Sequence, residues 1–238
     1  MEKEDLNTYK DSYTPAQNLH YRENELNLTH YAKKICELHK GGSCLDLGLG
    51  HGFAAGVLCS NFERYVVIEG SSDIIANYVP HPAKPEIVHS YFEDFSTDEK
   101  FDVIVMGFIL EHVDDPLFLL NKYKSFLKPD GSLYIAVPNY ETLNKRIALE
   151  AGMIESLYTL SDADRSFGHK RLFTVASLRE LINKAGLQDK LMEGLFLKPV
   201  TTRQMEALNF DDNVYRALMK IGVAYPELSV GIFALCKI

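Results

Sequence analysis

The chain has 238 residues, 46% of them hydrophobic and 24% charged, and its 33 Asp and Glu outweigh 25 Lys and Arg for a formal charge of -8. That length and apolar content suit one folded domain with a full core and exclude a disordered chain. The acidic balance argues against a nucleic-acid partner, whose phosphates are bound through Lys and Arg, and the longest apolar run, Val103 to Leu110, is far too short to insert into a membrane.

Met1 to Asp5 lacks the basic-then-apolar order of a secretory leader. Cys36, Cys44, Cys59 and Cys236 have neither CxxC spacing nor disulfide-scaffold density and read as small buried apolar residues. A cytoplasmic location is the expectation. Residues 1–24 are polar with Tyr9, Tyr13 and Tyr21 interspersed, and form a candidate N-terminal lid. Glu25 to His39 places Leu28, Tyr31, Ala32, Ile35 and Leu38 on one helical stripe, stopped by Gly41-Gly42. From Ser43 onward, short apolar runs alternate with amphipathic stretches, the pattern of a parallel sheet with crossover helices. The predicted strands are Ser43–Gly48, Arg64–Glu69, Glu86–Tyr91, Phe101–Gly107, Ser132–Val137, Leu191–Leu197 and Leu228–Lys237. The fourth and fifth are nearly all apolar, as expected of central strands covered on both faces. Asp115-Pro116 opens a helix with an N-cap and a first-position Pro, facing Leu117, Leu120 and Phe126 inward. A further helix runs from Thr174 to Gly186. Residues 140–172 break the alternation and read as an insertion over one end of the sheet within a single domain, 1–238.

The segment LDLGLGHG, Leu45 to Gly52, follows a strand and precedes a helix, so its glycines allow a tight turn and close approach of a ligand to the backbone. Such a turn at the carboxyl edge of a doubly wound sheet is a nucleotide-type site. The dinucleotide register needs Gly at 53, where Phe53 stands, and no Gly-Lys-Ser/Thr follows for a Walker loop. Asp46 suits a cationic amino-acid moiety better than a pyrophosphate. Glu69, seventeen residues after Gly52 at the end of the next strand, can accept both hydroxyls of a ribose.

Taken in order, LDLGLGHG, VVIEGS, YFEDF, FDVIVMGFILEHVDDP, LKPDGSLYIAVPN and FGHKRLFTVASLRELINKAG resemble the class I S-adenosylmethionine-dependent methyltransferases, in the small-molecule branch similar to the ubiquinone-biosynthesis O-methyltransferases. The resemblance spans roughly Gly41 to Gly186. It implies an α/β fold with a doubly wound, seven-stranded, mostly parallel sheet in the order 3-2-1-4-5-7-6, strand seven antiparallel, flanked by helices. It implies S-adenosyl-L-methionine as cofactor, S-adenosyl-L-homocysteine as product and a small molecule as acceptor. Carried over by residue, Asp46, Gly48, Leu49 and Gly50 surround the methionine part, and Glu69, Gly70 and Ser71 meet the ribose. Phe92, Glu93 and Asp94 flank the adenine, Met106, Gly107 and Phe108 pass under the sulfonium, and Tyr13 and Tyr21 are candidates to close the donor site. Some members of the branch hold a divalent metal through E-x-x-E-H. Here Glu111-His112 supplies the second half and Phe108 replaces the first Glu, so no metal is expected.

His112, just after the fourth strand, and His169, in the insertion, are the candidate catalytic residues for deprotonating or binding the acceptor. Arg165, Lys170 and Arg171 are candidates for an anionic acceptor, against the plainer reading of a solvated charge run. The first reading is methylation of an oxygen on a small molecule such as a sugar, quinone precursor or natural-product intermediate; methylation of a small-molecule amine is the second and a nucleotide-binding oxidoreductase the third. The residues are silent on oligomeric state.

Overall fold

Side chains alternate between the two faces of a strand, and here that alternation builds two cores on one sheet. In the computed structural model, which describes residues 5–8, 21–79, 84–160 and 162–238, strands β1 (Ser43–Leu47), β2 (Arg64–Glu69), β3 (Glu86–His89), β4 (Phe101–Gly107), β5 (Leu127–Pro138), β6 (Gln188–Gly194) and β7 (Gly231–Lys237) form a single sheet. Its order is β3-β2-β1-β4-β5-β7-β6. β7 pairs antiparallel with both β5 and β6, and the pairs from β3 to β5 are all parallel. The expected fold class and strand order are both observed.

On one face Leu45, Leu47, Ile104 and Met106 pack against α4 (Pro116–Lys124) and α7 (Val175–Lys184). On the other, Cys44, Val103 and Val105 pack against α1 (Tyr21–Leu38) and α2 (Phe53–Leu58). The remaining helices are α3 (Ser72–Asn77), α5 (Leu143–Glu150), α6 (Asp162–Ser166), α8 (Thr202–Ala207) and α9 (Asp212–Gly222).

Helix starts follow local chemistry. The Asp115 carboxylate accepts the Phe118 amide with Pro116 in the first turn, and Thr174 and Ser177 close a reciprocal capping box on α7. Differences from expectation sit at element ends and exposed sites. β5 starts earlier than Ser132, because Phe101 pairs with Leu127 across an irregularity before Val103 resumes the ladder with Ser132. α1 begins at Tyr21, and its buried face runs Glu23, Asn27, Tyr31, Ala32 and Ile35, leaving Leu38 exposed. Leu119 and Tyr123 join Leu120 as the buried residues of α4, with Leu117 only half-buried. Cys44, Cys59 and Cys236 are buried, while Cys36 is partly exposed. No helix among the described residues is long and apolar enough to cross a membrane.

Candidate active site

The carboxyl ends of β1, β2 and β4 open on a cavity of about 460 Å³. Its floor is the turn after β1. Gly48, Gly50 and Gly52 all adopt positive φ, at 87°, 50° and 76°, a backbone that costs glycine nothing. At Gly48 a Cβ would also meet Ile109 Cδ1 at 2.8 Å, so no larger residue fits. The Gly48 amide donates to the Ile68 carbonyl at 2.8 Å, which ties the turn to β2.

Glu69, at the end of β2, is 6% exposed and lines this cavity. Its Oε2 accepts the Leu49 amide at 2.9 Å and its Oε1 the Ser71 amide at 2.8 Å. One lone pair per oxygen therefore aims the carboxylate, and the others remain for a ligand. Gly48, Leu49, Gly50, Ser71, Phe92, Gly107 and Phe108 also line the cavity.

Other expected residues lie elsewhere. Asp46 is on the opposite parity of β1 from Leu45 and Leu47, so it turns into the face covered by α1 and α2, where the Tyr65 hydroxyl donates to it at 2.5 Å. Burial raises its pKa to about 7, against the lowering effect of that hydrogen bond. Met106 is fully buried in the other core. Glu93 and Asp94 are exposed, and Gly70 packs near Leu6 and Tyr91. Tyr21 packs edge-on against His51 and Phe53, beside the glycine turn rather than in the cavity wall. Tyr13 lies outside the described residues.

Residues 5–8, part of the stretch read as a candidate lid, reach the site through residues other than the tyrosines singled out in the sequence. Leu6 lines the cavity, and the Asn7 Oδ1 accepts the Ser71 hydroxyl at 2.8 Å and the Asp73 amide at 3.2 Å, at the start of α3.

Opposite the glycine turn, the short stretch after β4 carries Phe108, Glu111 and His112. Phe108 has φ 60°, uncommon for a residue with a side chain, while its amide donates to the Ala136 carbonyl at 2.7 Å and its ring meets Tyr31 edge-on. Glu111 is 1% exposed, its Oε2 has no hydrogen-bond partner among the described residues, and burial raises its pKa to about 8. The His112 and His169 rings lie 4.9 Å apart, nearly edge-to-face. His169 Nδ1 is 3.2 Å from the Asp164 carboxylate. A carboxylate only accepts, so Nδ1 is the donor in this pair and Asp164 fixes the orientation of the ring. Glu111, His112 and His169 each offer a ligand atom within 4.8 Å of the others. Reading E-x-x-E-H along one segment missed this grouping, because His169 arrives from across the inserted stretch.

α1 supplies Glu23, Asn27 and Tyr31 to the cavity. Asn27 and Tyr31, four apart on the predicted helix, were the available signal, while Glu23 lies before the predicted start at Glu25. Glu23 is buried against Lys198, 2.8 Å from Oε1 to Nζ, with the Thr202 hydroxyl donating to Oε2 at 2.7 Å. The start of α5 and the loop around α6 add Tyr140, Asn144, Lys145, Asp164 and Phe167.

Comparison with known proteins agrees with this architecture. The family model described as a methyltransferase domain matches residues 19–190. A ubiquinone biosynthesis O-methyltransferase of Actinobacillus pleuropneumoniae serotype 7 (strain AP76) is 27% identical over 190 residues, 76% of this chain and 80% of that protein. Among solved structures, DhpI in complex with SAH superposes with a TM-score of 0.62 at 16% identity, covering 98% of this chain and 94% of that one. The plantazolicin methyltransferase BpumL, in complex with a triazolic desmethylPZN analog and SAH, also gives 0.62, at 18% identity, covering 98% and 95%.

Proposed function

We infer, from the premise that this chain belongs to the methyltransferase domain family, that it transfers a methyl group from S-adenosylmethionine to an oxygen of a small-molecule acceptor. The observation that carries this reading is one cavity with a ribose-type carboxylate, Glu69, beside a glycine turn at one end and the His112–His169 pair at the other. The resemblance to enzymes named for O-methylation favours oxygen as the nucleophile.

When bound, S-adenosylmethionine supplies an activated methyl group with its own positive leaving group. The residues present fit it. Glu69 is pre-aimed by two backbone amides, and the Gly48–Gly52 turn lets a ligand approach the main chain. Gly107 is hemmed by the Tyr31 hydroxyl, which leaves no room for a Cβ at that wall. The protein's task is then alignment and exclusion of water. Phe92, Phe108 and Phe167 contribute apolar wall. An alcohol or phenol acceptor loses its proton as it is methylated, and in this reading His169, oriented by Asp164, takes it, with His112 against the same hydroxyl.

Calorimetry with S-adenosylmethionine, S-adenosylhomocysteine and NAD tests the donor. The first two are expected to bind and NAD to fail; tight NAD binding would overturn the reading. Glu69→Ala is expected to weaken donor binding by roughly 100-fold or more, since two hydrogen bonds to a carboxylate are worth about 1.5–3 kcal/mol each. Unchanged affinity would place the ribose elsewhere.

A further inference from the structure

A short N-terminal segment lies across the end of the cavity that holds Glu69. Residues 5–8 fold into one turn of their own: the Asp5 carboxylate accepts the Asn7 amide at 3.0 Å, and the Asp5 carbonyl accepts the Thr8 amide at 3.2 Å. Asp5 and Thr8 are exposed, whereas Leu6 and Asn7 between them are half-buried against the rest of the chain.

Asn7 is the attachment. Its Oδ1 accepts both the Ser71 hydroxyl and the Asp73 amide, so it caps α3 alongside Ser71, whose own hydroxyl oxygen accepts the Ile74 amide at 3.2 Å. The amide of the same Ser71 donates to Glu69 Oε1. One residue therefore ties the segment to the carboxylate assigned to the ribose. Leu6 is what this attachment positions. A Cβ built on Gly70, between Glu69 and Ser71, would lie 2.5 Å from Leu6 Cδ1, and Leu6 lines the cavity together with Ile74 and Phe92. Among the described residues, neither of the two cores nor the small cluster around Phe196 includes Leu6, so its apolar surface serves no core and faces whatever fills the cavity. A segment held by a few surface hydrogen bonds and one leucine opens far more readily than the strands beneath it.

We propose that residues 5–8 form a strap over the nucleoside half of the bound donor, with Leu6 in contact with that half and Asn7 as the latch, so that S-adenosylhomocysteine leaves only when the latch opens. This rests on reading the Glu69 end of the cavity as the donor site. Leu6 is then a binding residue, and Asn7 a positioning residue that acts through it.

The test is surface plasmon resonance on the immobilised full chain with two probes, S-adenosylhomocysteine and adenosine. Leu6→Ala is expected to speed release of S-adenosylhomocysteine about 10-fold with little change in association rate, and to weaken adenosine by a similar factor, because the lost contact is on the nucleoside half. Asn7→Ala should speed release in the same way, while Asn7→Asp, which keeps the acceptor oxygen, should stay within about 3-fold of wild type. Leu6→Ala leaves the cap of α3 intact, so it separates the strap from mere fraying of that helix. Hydrogen exchange at the amides of residues 5–8 should slow when S-adenosylhomocysteine is bound. Unchanged release from Leu6→Ala, a loss that spares adenosine, or exchange in the segment that ignores the ligand each overturns the proposal. Wild type that binds neither probe overturns the donor reading along with it, whereas binding that is indifferent to Leu6 and Asn7 overturns the strap alone.

Discussion

Asp46 and Glu69 are both strand carboxylates beside the glycine turn, yet side-chain parity and strand ends give them opposite surroundings. Glu69 ends its strand on the cavity and receives two amides, while Asp46 turns into an apolar face and receives one phenol hydroxyl. At this scale the stretch between β5 and α7 contributes a positioning residue, Asp164, to the proposed base. Asp164→Asn is expected to keep S-adenosylhomocysteine affinity and to lower kcat about 10- to 100-fold, a fraction of what a positioned base contributes. An unchanged kcat would remove His169 from the proton path. Among these three neighbours only Glu111 brings a carboxyl, whereas a hard cation needs several oxygen ligands. Turnover is therefore expected to survive dialysis against a chelator, and loss that a divalent cation restores would assign Glu111, His112 and His169 as its ligands.

Elements meet at this site with little slack. α1 crosses the end of β4 so closely that a Cβ on Gly107 would strike the Tyr31 hydroxyl and ring. Gly107→Ala is expected to cost about 1–3 kcal/mol by overpacking, seen as a fall in Tm of roughly 2–4 °C per kcal/mol for a chain of this size. Because the nearest obstructing atom is the hydroxyl, adding Tyr31→Phe should recover part of the loss. Additive losses would show that the strain lies in the backbone instead. The same contact explains how a polar stripe on α1 reaches the cavity: Tyr31 anchors the helix, and Asn27 and Glu23 follow one and two turns toward its start.

For the molecule as a whole, two buried carboxyls make stability depend on pH. In the unfolded chain Asp and Glu ionise near pH 4, whereas in the fold burial raises Asp46 to about 7 and Glu111 to about 8. Between these limits the folded state binds more protons than the unfolded state, so these groups stabilise fully below pH 4 and their contribution is lost as pH rises through 7 to 8. Thermal melts of the ligand-free protein from pH 5 to 8.5 should show that decline superimposed on the rest of the titration, and Asp46→Asn should flatten it. An identical slope in the variant would mean that Asp46 is ionised throughout.

Periodicity and turn chemistry along the chain determined the strands, the capped helices and the glycine turn, because each depends on neighbours within a few residues. Apolar runs at β4 and β5, Asp115-Pro116 and the Gly48–Gly52 spacing are signals of that local kind. The sheet order was implied only through the family that the ordered motifs resemble. Only the tertiary structure decided which of the candidate side chains share a cavity. Asp46 and Glu69 differ by the parity of a strand, and His112 and His169 become neighbours through the return of the long stretch between β5 and α7. Such pairings depend on distances between segments that the order of residues does not contain.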